Sequence, residues 1–114
     1  MQACLENAGQ ACGLIGTIAY ATGQEQTPAP LTTPDALTLA RLQAEMLDAG
    51  CTHMITEASS HALDQRRLGD LEVDLALFTN LTRDHLDYHG DVESYAHAKR
   101  KLFHSDGLRY AVIN

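Results

Sequence analysis

Apolar residues recur along this chain at the spacings of alternating strands and helices. Short runs at 13–20 and 52–58 are typical of strands, and so is the nearly continuous apolar run at 73–79. A run that is apolar on consecutive positions is typical of a parallel strand covered on both faces. Between these runs the apolar residues follow a helical period. The pattern therefore predicts strands and helices in alternation.

Two of the predicted helices begin with capping signals. Thr33 is the predicted N-cap of the longest helix, with Pro34 at its first position. The apolar face of this helix is predicted to hold Leu39, Leu42 and Met46. Ser59 or Ser60 is placed to cap a short helix over 61–67.

The remaining segments complete this alternation. The chain opens in an amphipathic helix that Gly9 can end, and residues 21–31, with Gly and two Pro, predict a loop or a short hairpin. A last helix begins at Val92, and residues 111–114 start another strand. The apolar face of that helix is predicted to hold Tyr95, Ala98 and Leu102.

Alternating strands and helices define the predicted fold class. They imply right-handed βαβ units in an α/β fold, with an open, mostly parallel sheet and flanking helices. A length of 114 residues suits one domain. The first helix has no strand before it and the last strand has no element after it, so we expect a domain that is truncated at both ends.

Composition and charge exclude several classes of protein. Apolar residues make up 45% of the chain and charged residues 20%, as in globular proteins. The formal net charge of −7 argues against nonspecific nucleic-acid binding. No apolar stretch approaches the roughly 20 residues that span a bilayer, and the N-terminus does not resemble a signal peptide. We therefore expect a cytoplasmic protein with neither nucleic-acid nor membrane partners. Its three cysteines form no C-x-x-C pair and are expected to be buried, reduced thiols.

Polar residues gather where two predicted strands end. Ligands of open parallel sheets bind beyond the carboxyl ends of the strands. Glu57 closes the strand at 52–58, and the loop 80–90, which includes Arg83 and His85, follows the strand at 73–79. This loop is dense in groups that bind metals or move protons. The alternative interpretations are an exposed carboxylate and a solvated loop with capping aspartates.

Two helix starts offer further candidate residues. Thr32 and Thr33 place two hydroxyls beside the backbone N–H groups of a helix N-terminus, which suits an anionic or sugar-phosphate ligand. His61 and Gln65 share one helical face and Arg67 follows, so a polar ligand could bind there. An ordinary helix start and a capped surface helix explain these residues as well.

Lys99 is a less obvious candidate. It lies close to the apolar face of the last helix, where a lysine ordinarily extends its ammonium outward to solvent. The alternative is that Lys99, Arg100 and Lys101 only complement the negative C-terminal end of this helix.

Three blocks of sequence together resemble a known family. They are TTPDAL from Thr32, EASSHAL from Glu57, and FTNLTRDHLDYHGDVESYAHAKRKLF from Phe78 to Phe103. The chain resembles the Mur ligases, and specifically the MurE type, the UDP-N-acetylmuramoyl-tripeptide synthetases. The resemblance covers nearly the whole chain and implies the central domain of these enzymes, which is similar to P-loop NTPases.

The resemblance also implies an activity. Such enzymes are ATP-dependent amide-bond ligases that add the third amino acid, meso-diaminopimelate or L-lysine, to UDP-N-acetylmuramoyl-L-alanyl-D-glutamate in peptidoglycan biosynthesis. ATP phosphorylates the terminal carboxylate of the precursor, and the amine of the amino acid attacks the acyl phosphate.

Individual residues match functional positions of that family. The positions that hold the UDP-linked dipeptide are matched by Thr32, Thr33, Ser59, Gln65 and Arg67. Glu57 and His85 match magnesium-site positions, with Mn²⁺ as a possible substitute because an imidazole is an unusual Mg²⁺ ligand. Lys99 matches a lysine that is carried as N6-carboxylysine. Carbamylation by CO₂ turns the amine into an oxygen anion that supports Mg²⁺, which an ammonium cannot do. The catalytic residues implied are therefore Lys99 and His85.

Departures from the family pattern limit this expectation. The glycine-rich phosphate loop ending in Gly-Lys-Thr or Gly-Lys-Ser is not found in these residues. Residues 1–114 are therefore expected to be a partial central domain, without the phosphate loop, the N-terminal domain or the C-terminal domain, and to be inactive alone. Leu31 stands where some relatives have Asn, and Ala58 stands where Val is usual.

Two other functions remain open from the sequence. The chain could belong to another amide ligase of the same superfamily, of the cyanophycin synthetase or folylpolyglutamate synthetase type. Alternatively, it could be a non-catalytic module that binds the precursor.

Overall fold

A computed structural model describes residues 1–82 and 84–114 and divides the chain into two compact units. The first unit covers Met1–Ala58 and the second covers Ser59–Asn114. Arg83, in the polar loop at 80–90, lies outside the described residues. Each unit contains its own sheet and its own helices.

The first unit is built on a four-stranded mixed sheet. Its strands are β1 (Cys12–Ile15), β2 (Ala19–Thr22), β3 (Glu25–Pro28) and β4 (His53–Thr56), in the order β3-β2-β1-β4. β1 pairs in parallel with β4, while β1 with β2 and β2 with β3 are antiparallel. The carboxyl ends of β1 and β4 therefore lie side by side.

The apolar run at 13–20 contains a turn that its composition does not reveal. The backbone N–H of Gly16 donates to the carbonyl of Ala19 at 3.2 Å, so β1 ends and β2 returns beside it. The predicted excursion at 21–31 contains the second hairpin strand, β3, and Gly23 adopts a φ of 78° at its turn. One apolar run thus contributes to two strands, β1 and β2. The turn between them, which contains Gly16, lies at an end of the sheet.

Two helices accompany this sheet, α1 (Gln2–Asn7) and α2 (Ala36–Asp48). The predicted apolar stripe of α2 is confirmed, because Leu39, Leu42 and Met46 are all buried. The predicted N-cap is wrong. Asp35 caps α2 instead, since its carboxylate accepts hydrogen bonds from the backbone N–H groups of Leu37 and Thr38. The hydroxyl of Thr33 is engaged elsewhere, with the carbonyl of Glu57.

The second unit combines short helices with a two-stranded parallel sheet. Its elements are α3 (Ser60–Asp64), β5 (Leu75–Phe78), α4 (Leu86–His89), α5 (Val92–Arg100), a 3-10 helix (Lys101–His104) and β6 (Tyr110–Ile113). β5 pairs in parallel with β6, and α3 and α4 pack against α5. The buried apolar residues of this unit are Ala62, Leu63, Ala76, Tyr95 and Ala98.

One face of the β5–β6 pair is exposed and apolar. Leu75 lies beside Tyr110 and Leu77 beside Val112, and all four side chains are exposed. The prediction that this strand is covered on both faces is therefore wrong, although Ala76 on its other face is buried. We call these four residues the β5–β6 face.

The α/β fold class is confirmed. Parallel pairing joins β1 to β4 and β5 to β6, and the antiparallel pairs come from the hairpins that β1, β2 and β3 form. Cys12 and Cys51 are buried thiols as expected, whereas Cys4 is exposed. Across the described residues, no helix has both the length and the apolar character needed to cross a bilayer.

Candidate active site

Three of the predicted site residues meet at the end of the first unit's sheet. Glu57 directly follows β4, and its backbone N–H donates to the carbonyl of Ile15 at 2.8 Å, which continues the parallel pairing with β1. The hydroxyl of Thr33 donates to the Glu57 carbonyl at 2.5 Å. Thr33 is only 1% exposed, so this hydrogen bond holds the segment before α2 against the end of β4.

The carboxylate of Glu57 is held by a residue in the turn after β1. Its Oε2 accepts from the backbone N–H of Thr17 at 3.0 Å and from the Thr17 hydroxyl at 2.5 Å. Thr17 Oγ1 also lies 3.2 Å from Thr32 Oγ1. Since the single proton of the Thr17 hydroxyl goes to the carboxylate, the Thr32 hydroxyl must donate to Thr17. The three side chains therefore form one hydrogen-bonded chain from Thr32 through Thr17 to Glu57.

Gly16 leaves the space that this carboxylate occupies. A Cβ atom placed on Gly16 would lie 3.3 Å from both Cδ and Oε1 of Glu57, closer than most side chains tolerate. The missing side chain thus lets the turn after β1 approach the end of β4. Glycine is commonly found where the backbone must approach a ligand site this closely.

Thr17 is a residue of this site that the apolar pattern at 13–20 does not indicate. The composition of residues 13–20 predicts a single apolar strand and does not predict the turn within it. The signal was nevertheless present, because Gly16 and Thr17 follow the first half of this run. The strand-end rule that singled out Glu57 applies to them equally.

Ser59, Gln65 and Arg67 all belong to the second unit, around α3. The Ser59 hydroxyl caps α3 by accepting from the backbone N–H of Ala62 at 3.1 Å. Arg67 Nε donates to Gln65 Oε1 at 2.9 Å, and Gln65 Nε2 donates to the hydroxyl of Tyr88 at 3.1 Å. Gln65 and Arg67 are therefore adjacent polar groups that follow α3, which ends at Asp64 and not at residue 67 as the sequence predicted.

Asp64 links the end of α3 to two other elements of the second unit. Its carboxylate accepts from Lys101 Nζ at 2.7 Å and from the Tyr88 hydroxyl at 3.2 Å. These hydrogen bonds, first that of Lys101 and then that of Tyr88, lower the pKa of Asp64 because they stabilise its charged form. Lys101 thus serves an ion pair, which the sequence did not indicate.

His85 lies in a cluster of aromatic rings. The ring centroids of His61 and His85 are 5.1 Å apart, those of His61 and His89 are 5.6 Å apart, and the ring of Tyr95 is 5.9 Å from that of His85. Tyr88 contacts His61 at 4.1 Å. Burial, followed by repulsion from His85 and His89, lowers the pKa of His61, which favours its neutral imidazole.

The backbone of His85 is held in an uncommon conformation. Its φ is 56°, in the left-handed region, and its N–H donates to Asp84 Oδ1 at 2.8 Å. α4 begins at the next residue. Non-glycine residues rarely adopt this conformation outside constrained sites. The loop therefore fixes the direction in which the imidazole of His85 leaves the backbone.

Lys99 differs from the two basic residues that follow it. Arg100 is exposed and Lys101 pairs with Asp64, whereas Lys99 is half-buried on α5. Lys99 forms part of the wall of an apolar hollow of about 490 Å³, which Phe78 and Phe103 also line. Burial lowers the pKa of Lys99 because the ammonium loses hydration. Lys99 and Arg100 both lie in the last turn of α5, so they can also complement the negative end of the helix dipole.

The predicted metal ligands belong to different units, Glu57 to the first and His85 and Lys99 to the second. Among the described residues, no group of three His, Cys, Asp or Glu side chains is arranged to hold a metal ion. The donor chemistry still fits a hard cation, since Glu57 presents an oriented carboxylate and Gly16 leaves room beside Oε1.

In the first unit, the Glu57 carboxylate and the hydroxyls of Thr17 and Thr32 lie together at the carboxyl ends of the adjacent parallel strands β1 and β4, which is where α/β domains bind ligands. A family model described as the Mur ligase middle domain matches residues 1–114. The chain belongs to the Mur ligase family, whose members are ATP-dependent ligases.

Relatives of known name agree with this assignment. The UDP-N-acetylmuramoyl-L-alanyl-D-glutamate--2,6-diaminopimelate ligase of Geobacter metallireducens is 46% identical over 103 residues, which are 90% of this chain and 20% of that enzyme. The enzyme of the same name from Nitrosomonas europaea is 48% identical over 106 residues, covering 93% and 20%. A solved structure of such a ligase superimposes with a TM-score of 0.85 at 40% identity, covering 96% of this chain and 22% of that one. The chain thus spans about a fifth of the length of these relatives.

Proposed function

We propose that this chain is part of the central domain of a ligase that adds the third amino acid to UDP-N-acetylmuramoyl-L-alanyl-D-glutamate in peptidoglycan biosynthesis. The observation that carries the proposal is the hydrogen-bonded chain Thr32–Thr17–Glu57 at the carboxyl ends of β1 and β4. The names of the relatives favour 2,6-diaminopimelate over L-lysine as the amino acid added. ATP and a UDP-linked precursor are consumed, so we place the reaction in the cytoplasm.

The precursor is assigned to Thr32, Thr33, Ser59, Gln65 and Arg67. These residues have different tasks. Thr33 is buried and its hydroxyl donates to a backbone carbonyl, so it fixes the position of Thr32. Arg67 offers a planar guanidinium that suits a phosphate or a carboxylate, and Gln65 orients it through the hydrogen bond at Nε. Ser59 begins the turn into α3, where its hydroxyl caps the helix by accepting from the Ala62 N–H.

A magnesium site is assigned to Glu57, His85 and carbamylated Lys99. A divalent cation there would neutralise charge on the phosphate and acyl groups during phosphoryl transfer. Glu57 contributes a carboxylate oxygen, and the fixed backbone of His85 orients its imidazole. Lys99 enters as N6-carboxylysine, which supplies the oxygens that its ammonium lacks.

The surroundings of Lys99 favour its carbamylation. The neutral amine attacks the carbon of CO₂, so a C–N bond forms as one C–O π bond opens; an N–H bond then breaks, the proton is released to solvent and a carbamate anion remains. Only the neutral amine reacts, and the half-buried position of Lys99 beside an apolar hollow lowers its pKa and so raises the neutral fraction.

Carbamylation has a direct spectroscopic test. In ¹³CO₂-bicarbonate buffer, we expect one carbamate carbon signal in the NMR spectrum of the chain, which Lys99→Arg removes and Lys101→Arg preserves. If the signal persists in Lys99→Arg, the assignment of N6-carboxylysine to Lys99 is wrong.

The ligase function itself is tested in a chimera. This chain replaces the matching segment of the Nitrosomonas europaea ligase, and phosphate release is measured with ATP, the UDP-linked dipeptide and either meso-diaminopimelate or L-lysine. We expect dipeptide-dependent turnover that falls at least about 100-fold in Glu57→Gln, because a metal ligand is lost. A folded chimera without turnover would contradict the proposal.

Binding assays separate the remaining alternatives. A chain that binds the UDP-linked dipeptide in calorimetry, but whose folded chimera never turns over, would be a non-catalytic binding module. A chimera that accepts only glutamyl or aspartyl acceptors would instead indicate a ligase of the folylpolyglutamate or cyanophycin type.

A further inference from the structure

We infer that Thr17 is a positioning residue that holds the Glu57 carboxylate by Oε2 and thereby presents Oε1 to a divalent cation. The inference rests on the proposed function, in which Glu57 meets magnesium. Thr17 is thereby a residue of the metal site, and Oε1 is the carboxylate oxygen that serves as the ligand.

Two donors of one residue converge on one oxygen. The Thr17 N–H and hydroxyl both donate to Glu57 Oε2, at 3.0 and 2.5 Å. The N–H donor belongs to the turn between β1 and β2, whose position the sheet fixes. An exposed glutamate otherwise samples several rotamers, at a cost in conformational entropy when a ligand must order it. Thr17 removes that freedom before any cation arrives.

The second carboxylate oxygen is kept accessible. Both hydrogen bonds from Thr17 end on Oε2, and within the described part of the chain no hydrogen bond to Oε1 is present. A Cβ atom on Gly16 would lie 3.3 Å from Oε1, so glycine at this position preserves the space beside it. Glu57 is also exposed, which leaves Oε1 available to a hard cation.

The Thr32 hydroxyl connects this carboxylate to the proposed precursor site. Thr32 donates to Thr17, and Thr17 donates to Glu57, so each hydrogen bond polarises the next one. A precursor group that accepts from Thr32 would compete for the same proton. Precursor binding and the orientation of the Glu57 carboxylate are consequently coupled through Thr17.

The positioning role is tested without metal. Side-chain couplings of ¹³C-labelled glutamate report the rotamers of Glu57 in the 114-residue chain and in the chimera, in wild type, Thr17→Val and Thr17→Ser. We expect one rotamer in wild type and Thr17→Ser and averaging in Thr17→Val, which keeps the N–H but loses the hydroxyl. Thr27→Val, on the exposed strand β3, is the matched control and should leave Glu57 unchanged. Averaging in wild type, or one rotamer in Thr17→Val, would overturn the inference.

A second measurement uses Mn²⁺ alone as the probe. Removal of a hydrogen-bond partner of a metal ligand typically costs about 10- to 100-fold in affinity, so Thr17→Val should weaken Mn²⁺ binding by at least about tenfold in electron paramagnetic resonance titrations. Thr17→Ser should restore most of it, and Glu57→Gln should abolish it.

The two measurements distinguish failure of the positioning inference from failure of the proposed function. If Mn²⁺ binding depends on Glu57 but not on Thr17, the positioning inference is wrong and the proposed function stands. If the rotamers respond to Thr17 as expected but no Mn²⁺ binds, Thr17 still positions the carboxylate and the metal assignment of the proposed function is wrong.

Discussion

The imidazole of His61 is packed among the rings of His85, Tyr88 and His89. Burial and the neighbouring histidines lower its pKa below the ordinary 6.5. The unfolded chain therefore binds a proton at His61 more readily than the folded chain does. The stabilising contribution of the neutral ring is complete above pH 6.5 and is lost as the pH falls through the lowered pKa.

This linkage predicts a loss of stability in mildly acidic solution. Between pH 7.5 and 5 the free energy of unfolding of the second unit should fall, and the fall should be shallower in His61→Gln. Urea unfolding, followed by the amide NMR signals of α5, measures it. His53→Gln, an exposed position of the first unit, should keep the wild-type slope. Equal slopes in wild type and His61→Gln would contradict the assignment. Asp35, Asp64 and Asp91, whose pKa values are also lowered, lose their contributions only at more acidic pH, below 3.8.

At the scale of single residues, the sequence predicts positions near strand ends better than it predicts hydrogen-bond partners. Glu57 was found because it closes a strand, and its carboxylate does lie at the end of the sheet beside β1. Its partner Thr17 is 40 residues away, so no local pattern connects the two. The ring contact between His61 and His85 also joins separate elements and was not predicted.

At the scale of elements, α2 offers a matched pair of leucines. Leu39 is 1% exposed and Leu37 is 82% exposed on the same helix. Leu39→Ala should lower the free energy of unfolding of the first unit by about 2–4 kcal/mol, since it removes buried methyl groups and leaves a cavity. Leu37→Ala should change it by less than about 0.5 kcal/mol. Urea unfolding followed by circular dichroism measures both, and equal losses would show that α2 does not pack as described.

Periodicity predicted which side of α2 is buried but not where the helix begins. The stripe of Leu39, Leu42 and Met46 follows directly from helical spacing. The N-cap moved from Thr33 to Asp35 because the Thr33 hydroxyl is used 24 residues further along the chain, at the Glu57 carbonyl. The apolar composition of β5 likewise did not reveal that only one of its faces is covered, because coverage depends on distant elements.

At the scale of the whole molecule, the β5–β6 face sets the solution behaviour of the chain. Four exposed apolar side chains on one side of a parallel pair form a patch that favours association. We expect the sedimentation coefficient of the chain to rise with concentration and its thermal unfolding to be broad. The double substitution Leu77→Lys with Val112→Glu should reduce the association, whereas Leu47→Lys, at an exposed position of α2, should not. A monomer with one sharp cooperative transition would contradict this expectation.

ATP turnover also depends on the whole chain, because it requires a phosphate-binding loop. No Gly-Lys-Thr or Gly-Lys-Ser occurs in the 114 residues, so they lack the glycine-rich loop whose backbone N–H groups would hold a triphosphate. The isolated chain should therefore release no phosphate above background with ATP and the UDP-linked dipeptide. The chimera with the Nitrosomonas europaea ligase is the positive control, and robust release by the isolated chain would refute the expectation.

The left-handed backbone of His85 has a consequence for laboratory evolution of this chain. An imidazole-bearing residue at a φ of 56° costs about 1 kcal/mol relative to glycine, which adopts that geometry without strain. His85→Gly would relieve this strain at the expense of the ring contacts with His61 and Tyr95, and any heat-tolerant clone that carried it would have discarded an imidazole that we assign to metal ligation. A screen for thermal stability and a screen for catalytic activity would then select different residues at position 85.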